Sequence, residues 1–167
     1  LIGCEDITED NKELIELGYS IGAKLKDNCE LNIINFNGEK EPILLGILLS
    51  QYNYDKYQSD GKDKVEVTFN ESLEIESLQV KRDTLFWVKD LINTPAFDRS
   101  PEYFIKQVEE ISSNKEINIE ICNKEWLEKN NFGGVLGVAQ GSVREPYFLI
   151  GQYKPDAKVQ IALIGKG

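Results

Sequence analysis

The chain has 167 residues, 41% hydrophobic and 10% aromatic, with a formal net charge of −10. That much apolar material excludes wholesale disorder, and no uninterrupted apolar stretch approaches the roughly 18 residues a membrane-spanning helix needs. The charge is lopsided, with 17 acids and 7 bases in residues 1–80 against 12 of each in residues 81–167, so the first half repels phosphate backbones and argues against a nucleic-acid partner.

Leu1 enters directly on an apolar pair and a glycine and is not a methionine, and the chain closes abruptly on Gly-Lys-Gly; both ends read as cut from something longer. After the Thr8-Glu9-Asp10 capping cluster, Leu14, Leu17, Ile21 and Leu25 recur at helical spacing, which predicts a helix over residues 11–26. A strand follows over Leu31 to Phe36 and ends at the turn signal Asn37-Gly38. Pro42 suits a first helical turn, and the apolar run around Gly46 predicts a buried helix packed closely on a neighbour. The aromatic cluster "YNYDKYQ", Tyr52 to Gln58, reads as a flank of that helix packing on the sheet rather than as a base-stacking patch.

Val65, Val67 and Phe69 alternate with polar residues, the period of a half-buried strand. A long helix is predicted from Ser72 to Ile92, with Ile75, Leu78, Leu85, Val88 and Ile92 on its apolar side, and Pro95 ends it. Ser100-Pro101-Glu102 is a start signal: a hydroxyl cap, a proline at the first helical position and an acid in the first turn. Phe104, Val108 and Ile111 would form that helix's buried face. Beyond it come a strand at Ile117 to Cys122, a short helix around Trp126, and strands near Val135 to Ala139, Tyr147 to Tyr153 and Val159 to Ile164. Alternating helices and strands put the chain in the α/β class.

Candidate chemistry is sparse. Cys4, Cys29 and Cys122 form no CxxC pair, so neither a disulfide framework nor a cysteine zinc site is suggested and a reducing, cytoplasmic setting fits. With no histidine in the chain, Ser142 has no partner from which to assemble a nucleophilic pair. The glycine-dense "FGGVLGVAQGS", Phe132 to Ser142, lacks dinucleotide spacing; it could line a ligand site, although close packing is the plainer reading. "GKG" fails as a phosphate loop, because Gln160 stands where the first glycine should be and Gly167 where the hydroxyl should be. Taken alone it is a surface turn or half of a metal or substrate site. A lysine can ligate a metal only when neutral, which requires burial or strong positive charge beside it.

Four blocks in order resemble the leucyl aminopeptidase (cytosol aminopeptidase) family, the two-metal M17 type. They are "GILLSQYNYDKYQSD" (Gly46 to Asp60), "VKDLINTPAFDRSPEYF" (Val88 to Phe104), "WLEKNNFGGVLGVAQGS" (Trp126 to Ser142) and "ALIGKG" (Ala162 to Gly167). In the family the last block stands immediately before a Phe-Asp-Ser-Gly-Gly signature, which this chain does not contain. The resemblance implies a partial macrodomain-like N-terminal α/β domain over residues 1–71, a connecting helix over 72–95, and the opening of an α/β metallopeptidase catalytic domain over 96–167. It implies Lys166 as a side-chain ligand to one of two divalent ions, Mn2+ or Zn2+, with no catalytic residue inside this chain. It also implies peptide substrates with a free N-terminus, leucine-type preference and a cytoplasmic homohexamer; this segment alone would be inactive. The alternative is a non-catalytic binding or assembly module on the same scaffold. Two residues depart from the family pattern: Phe97 replaces a small or polar residue, and Lys89 replaces a usual arginine.

Overall fold

Helices and strands are interspersed along the chain, consistent with the α/β class, in the computed structural model, which describes residues 10–32, 38–59, 65–69, 75–112, 116–154, 156–158 and 161–166. The chain divides into two units, Leu1–Asn93 and Thr94–Gly167.

In the first unit, Asp10 caps α1 (Asn11–Gly22), its Oδ1 accepting from the backbone N–H groups of Lys12 at 2.7 Å and Glu13 at 3.2 Å. Two otherwise unpaired helix donors are thereby satisfied. Thr8 and Glu9 lie outside the described residues. The helix ends four residues before the expected Lys26. Gln51 donates to the Gly22 carbonyl at 3.2 Å and the Leu25 N–H donates to it at 3.0 Å, so the last turn tightens instead of continuing.

α2 (Glu41–Ser50) carries Pro42 in its first turn and is buried on two sides. Ile43 and Ile47 join Leu14 of α1 in one core cluster, with Leu17, Ile21 and Leu25 packed against it. Leu44 and Leu48 turn the other way and form a second cluster with Leu78. A helix flanked on both sides has no polar face, hence the continuous apolar run; burying a leucine such as Leu44 contributes about 2–3 kcal/mol. Glycines set the α1–α2 separation. A Cβ on Gly18 would overlap the Ile43 carbonyl oxygen, and one on Gly46 would overlap that of Ile15. Each helix therefore presents a glycine to the other's backbone.

β1 (Cys29–Leu31) runs parallel to β2 (Val67–Phe69), with Glu30 opposite Thr68. Asn28 fixes the approach by accepting the Glu66 N–H at 2.8 Å. Leu31, Val67 and Phe69 pack onto the α1–α2 core, the last two as the alternation of Val65, Val67 and Phe69 predicted. Of the strand expected over Leu31 to Phe36, Leu31 is the last residue of β1 and Asn32 has already left it; residues 33–37 lie outside the described residues.

α3 (Ile75–Asn93) is the expected long helix, its first predicted residues 72–74 being outside the description, but its packed face is not the predicted one. Leu78 is buried, whereas Leu85, Val88 and Ile92 are 42%, 38% and 67% exposed. The helix's other buried residue is Leu91, and Tyr52 adds a separate, partly exposed set of contacts. The chain leaves α2 at Ser50 without further helix, so Tyr52 packs on α3 and not on the sheet. Its ring lies 5.1 Å from that of Phe86 and 4.8 Å from the Lys89 amine, and its hydroxyl donates to Asp90 at 2.8 Å and accepts from Asn93 at 2.9 Å. Residues 86, 89, 90 and 93 stand at i, i+3, i+4 and i+7, one face of a helix. Trp87 is half-buried on the same helix.

In the second unit, Ser100 caps α4 (Pro101–Ser112) by accepting the Tyr103 N–H at 3.1 Å. Val108 is half-buried as expected; Phe104 is exposed, and the Ile111 side chain lies outside the description. β3 (Ile117–Cys122) pairs antiparallel with β4 (Phe148–Tyr153), with Ile117 opposite Tyr153 and Cys122 opposite Phe148. Asn123 caps the short α5 (Lys124–Lys129), which buries Leu127 completely. Trp126, Phe132 and Phe148 then form a row of tilted rings at successive centroid distances of 5.1 Å.

Two predicted strands are absent among the described residues. Val135 to Ala139 lies in α6 (Gly133–Ala139), because Asn131 takes a left-handed φ of 59° that closes α5 and Phe132 docks between Trp126 and Phe148, redirecting the chain into a new turn of helix. In the last predicted strand, residues 161–164 have no regular secondary structure and join no sheet; residues 159 and 160 lie outside the description.

Candidate functional site

Two turns of the second unit are held together by one side chain. Pro95 begins a tight turn in which its carbonyl accepts from Asp98 at 3.0 Å and Arg99 at 2.9 Å, leaving Phe97 83% exposed at the tip. Ser142 starts a second turn, its hydroxyl accepting the Arg144 N–H at 3.0 Å. This orients the guanidinium, which donates to the Phe97 carbonyl at 3.1 Å, sits 6.0 Å from the Phe97 ring and pairs with Glu102 at 3.5 Å. Hydrogen bonding with Ser100, its own backbone N–H and the Arg144 charge together hold the Glu102 carboxyl below the ordinary carboxylate range. Arg144 was not legible in the sequence; the only signal was its place just after the glycine-dense segment.

Ser142 therefore shapes a turn, its hydroxyl oxygen taken up by the Arg144 N–H. The glycines of this segment do not mark close packing. A Cβ on Gly133, Gly134, Gly137 or Gly141 would meet nothing within 4 Å. Cys122 is buried, and that burial, with Glu120 nearby, pushes its thiol up and away from nucleophilic use.

Lys166 lies in the irregular segment 161–166 with its side chain exposed, and Gly165 before it has open space around it. Ile161, Leu163 and Ile164, which lead to it, are 82%, 94% and 95% exposed. Among the described residues no group of three or more histidine, cysteine or carboxylate side chains could hold a metal ion. A cleft of about 280 Å3 lined by Asn123, Lys124, Glu125, Glu128 and Glu145 gathers acids, but Lys124 pairs with Glu128 at 4.0 Å. One lysine donor does not make a metal centre, so the described residues alone do not fit a bound pair of ions and carry no metal-dependent step.

Residues 86–167, which include both turns and Lys166, match the catalytic domain of the cytosol aminopeptidase family. The "Probable cytosol aminopeptidase" of Treponema denticola is 30% identical over 158 residues, covering 84% of this chain and 33% of that protein. The chain belongs to the cytosol aminopeptidase family. It spans about a third of the length of the curated relatives it matches. Among solved structures, the bottromycin maturation enzyme BotP superposes with a TM-score of 0.74 at 18% identity, covering 87% of this chain and 35% of BotP. The cytosol aminopeptidase of Coxiella burnetii gives 0.70 at 22% identity, covering 84% and 31%. At these identities the two likenesses establish the fold. No helix among the described residues is long and apolar enough to cross a membrane.

Proposed function

We propose that this chain forms part of a metal-dependent aminopeptidase that releases N-terminal amino acids, with leucine-type preference, from peptides. The observation that carries the reading is the catalytic-domain match over residues 86–167, which ends on the Gly-Lys-Gly element holding Lys166. In this reading residues 1–71 are an N-terminal α/β domain, 72–95 a connecting helix and 96–167 the opening of the catalytic domain. Lys166 is one ligand of a two-metal site whose other ligands lie outside the described residues. Such ions, when bound, would polarise the scissile carbonyl and lower the pKa of a water. BotP, similar in fold, is described in complex with Mn, which supports trying manganese first. A cytoplasmic homohexamer belongs to the same proposal.

Hydrolysis of leucine p-nitroanilide by a full-length protein carrying this chain, with and without added manganese or zinc, tests the reading. Metal-dependent release supports it. A folded protein that binds neither ion and hydrolyses no amino-terminal substrate overturns it in favour of a non-catalytic module.

A further inference from the structure

We draw no further inference here: the strongest candidate, the bare apolar run from Ile161 to Ile164 that leads into Lys166, is an unpartnered surface for which nothing in the structure shows what covers it.

Discussion

Arg144 reaches across 47 residues of sequence to donate to the Phe97 carbonyl at 3.1 Å, and the same guanidinium pairs with Glu102 at 3.5 Å. The turn after Pro95 and the turn after Ser142 therefore share one tie. Arg144→Ala should lower stability by about 1 kcal/mol, since its side chain is partly exposed and each contact is worth a fraction of a buried one. Arg144→Lys should recover less than half of that, because an ammonium cannot fork to both acceptors. Urea midpoints of the three proteins check this; equal midpoints would show that the tie carries no stability.

The same tie has a pH signature. The folded state holds Glu102 below its ordinary range, through Ser100 first, then its own backbone N–H and Arg144. A depressed carboxylate stabilises the fold at pH values above its unfolded pKa of about 4.3, and that contribution is lost as pH falls through the folded value. Glu102→Gln should thus cost stability at pH 6 and progressively less as the pH drops toward 3. Denaturation of both proteins across that range is the measurement, and a difference that stays constant with pH would contradict the assignment.

Glycines in the two units should respond oppositely to the same substitution. Gly18→Ala and Gly46→Ala drive a methyl into backbone oxygens of Ile43 and Ile15, which no side-chain rearrangement relieves. Each should cost about 3 kcal/mol or more, the upper range for overpacking. Gly137→Ala, on an open face of α6, should instead stabilise by about 0.5–1 kcal/mol through helix propensity. Thermal midpoints would separate the two classes.

Tyr52 offers a titratable probe of α3. Burial is the main reason its phenol is held above the ordinary value; Asn93 opposes the shift, and Asp90 adds to it. A raised folded pKa means that the neutral phenol is favoured in the native state, so its stabilisation is present below about pH 10 and is lost as pH rises through the folded value. Tyr52→Phe keeps the ring against Phe86 but removes both hydroxyl bonds, and should cost about 1 kcal/mol at neutral pH. If the substitution is silent by chemical denaturation, the ring alone anchors the segment.

On the proposed two-metal reading, Lys166→Ala in a full-length protein carrying this chain should reduce bound metal at one of two sites and lower turnover at least about tenfold, the scale on which metal-site partners act. Elemental analysis alongside leucine p-nitroanilide kinetics gives both readouts. Unchanged stoichiometry and turnover would remove Lys166 from the site.

Local signals in the sequence were legible and long-range ones were not. Asp10 and Ser100 announced α1 and α4 because a cap acts on donors two or three residues away. The unbroken apolar run of α2 reported burial on both sides before any partner was known. The packed residues of α3 were misread because Leu85, Val88 and Ile92 stay exposed while Leu78 and Leu91 are buried, and the bonds that Tyr52 makes to Asp90 and Asn93, about 40 positions later, leave no local trace. Val135 and Val138 suggested a strand, yet Asn131 and the docking of Phe132 decide in favour of a helix. Lys166 gained meaning only from its ordered company of motifs, and the spacing that pairs Arg144 with Phe97 leaves no local trace.

The ring row of Trp126, Phe132 and Phe148 has an experimental use. The chain's two tryptophans are divided between its units, Trp87 on α3 and Trp126 on α5 with its ring tilted against that of Phe132. Each unit thus carries its own fluorophore. Trp87→Phe leaves emission that follows residues 94–167 alone, and Trp126→Phe leaves emission that follows residues 1–93, so the order in which the halves melt can be read by colour from single-site variants.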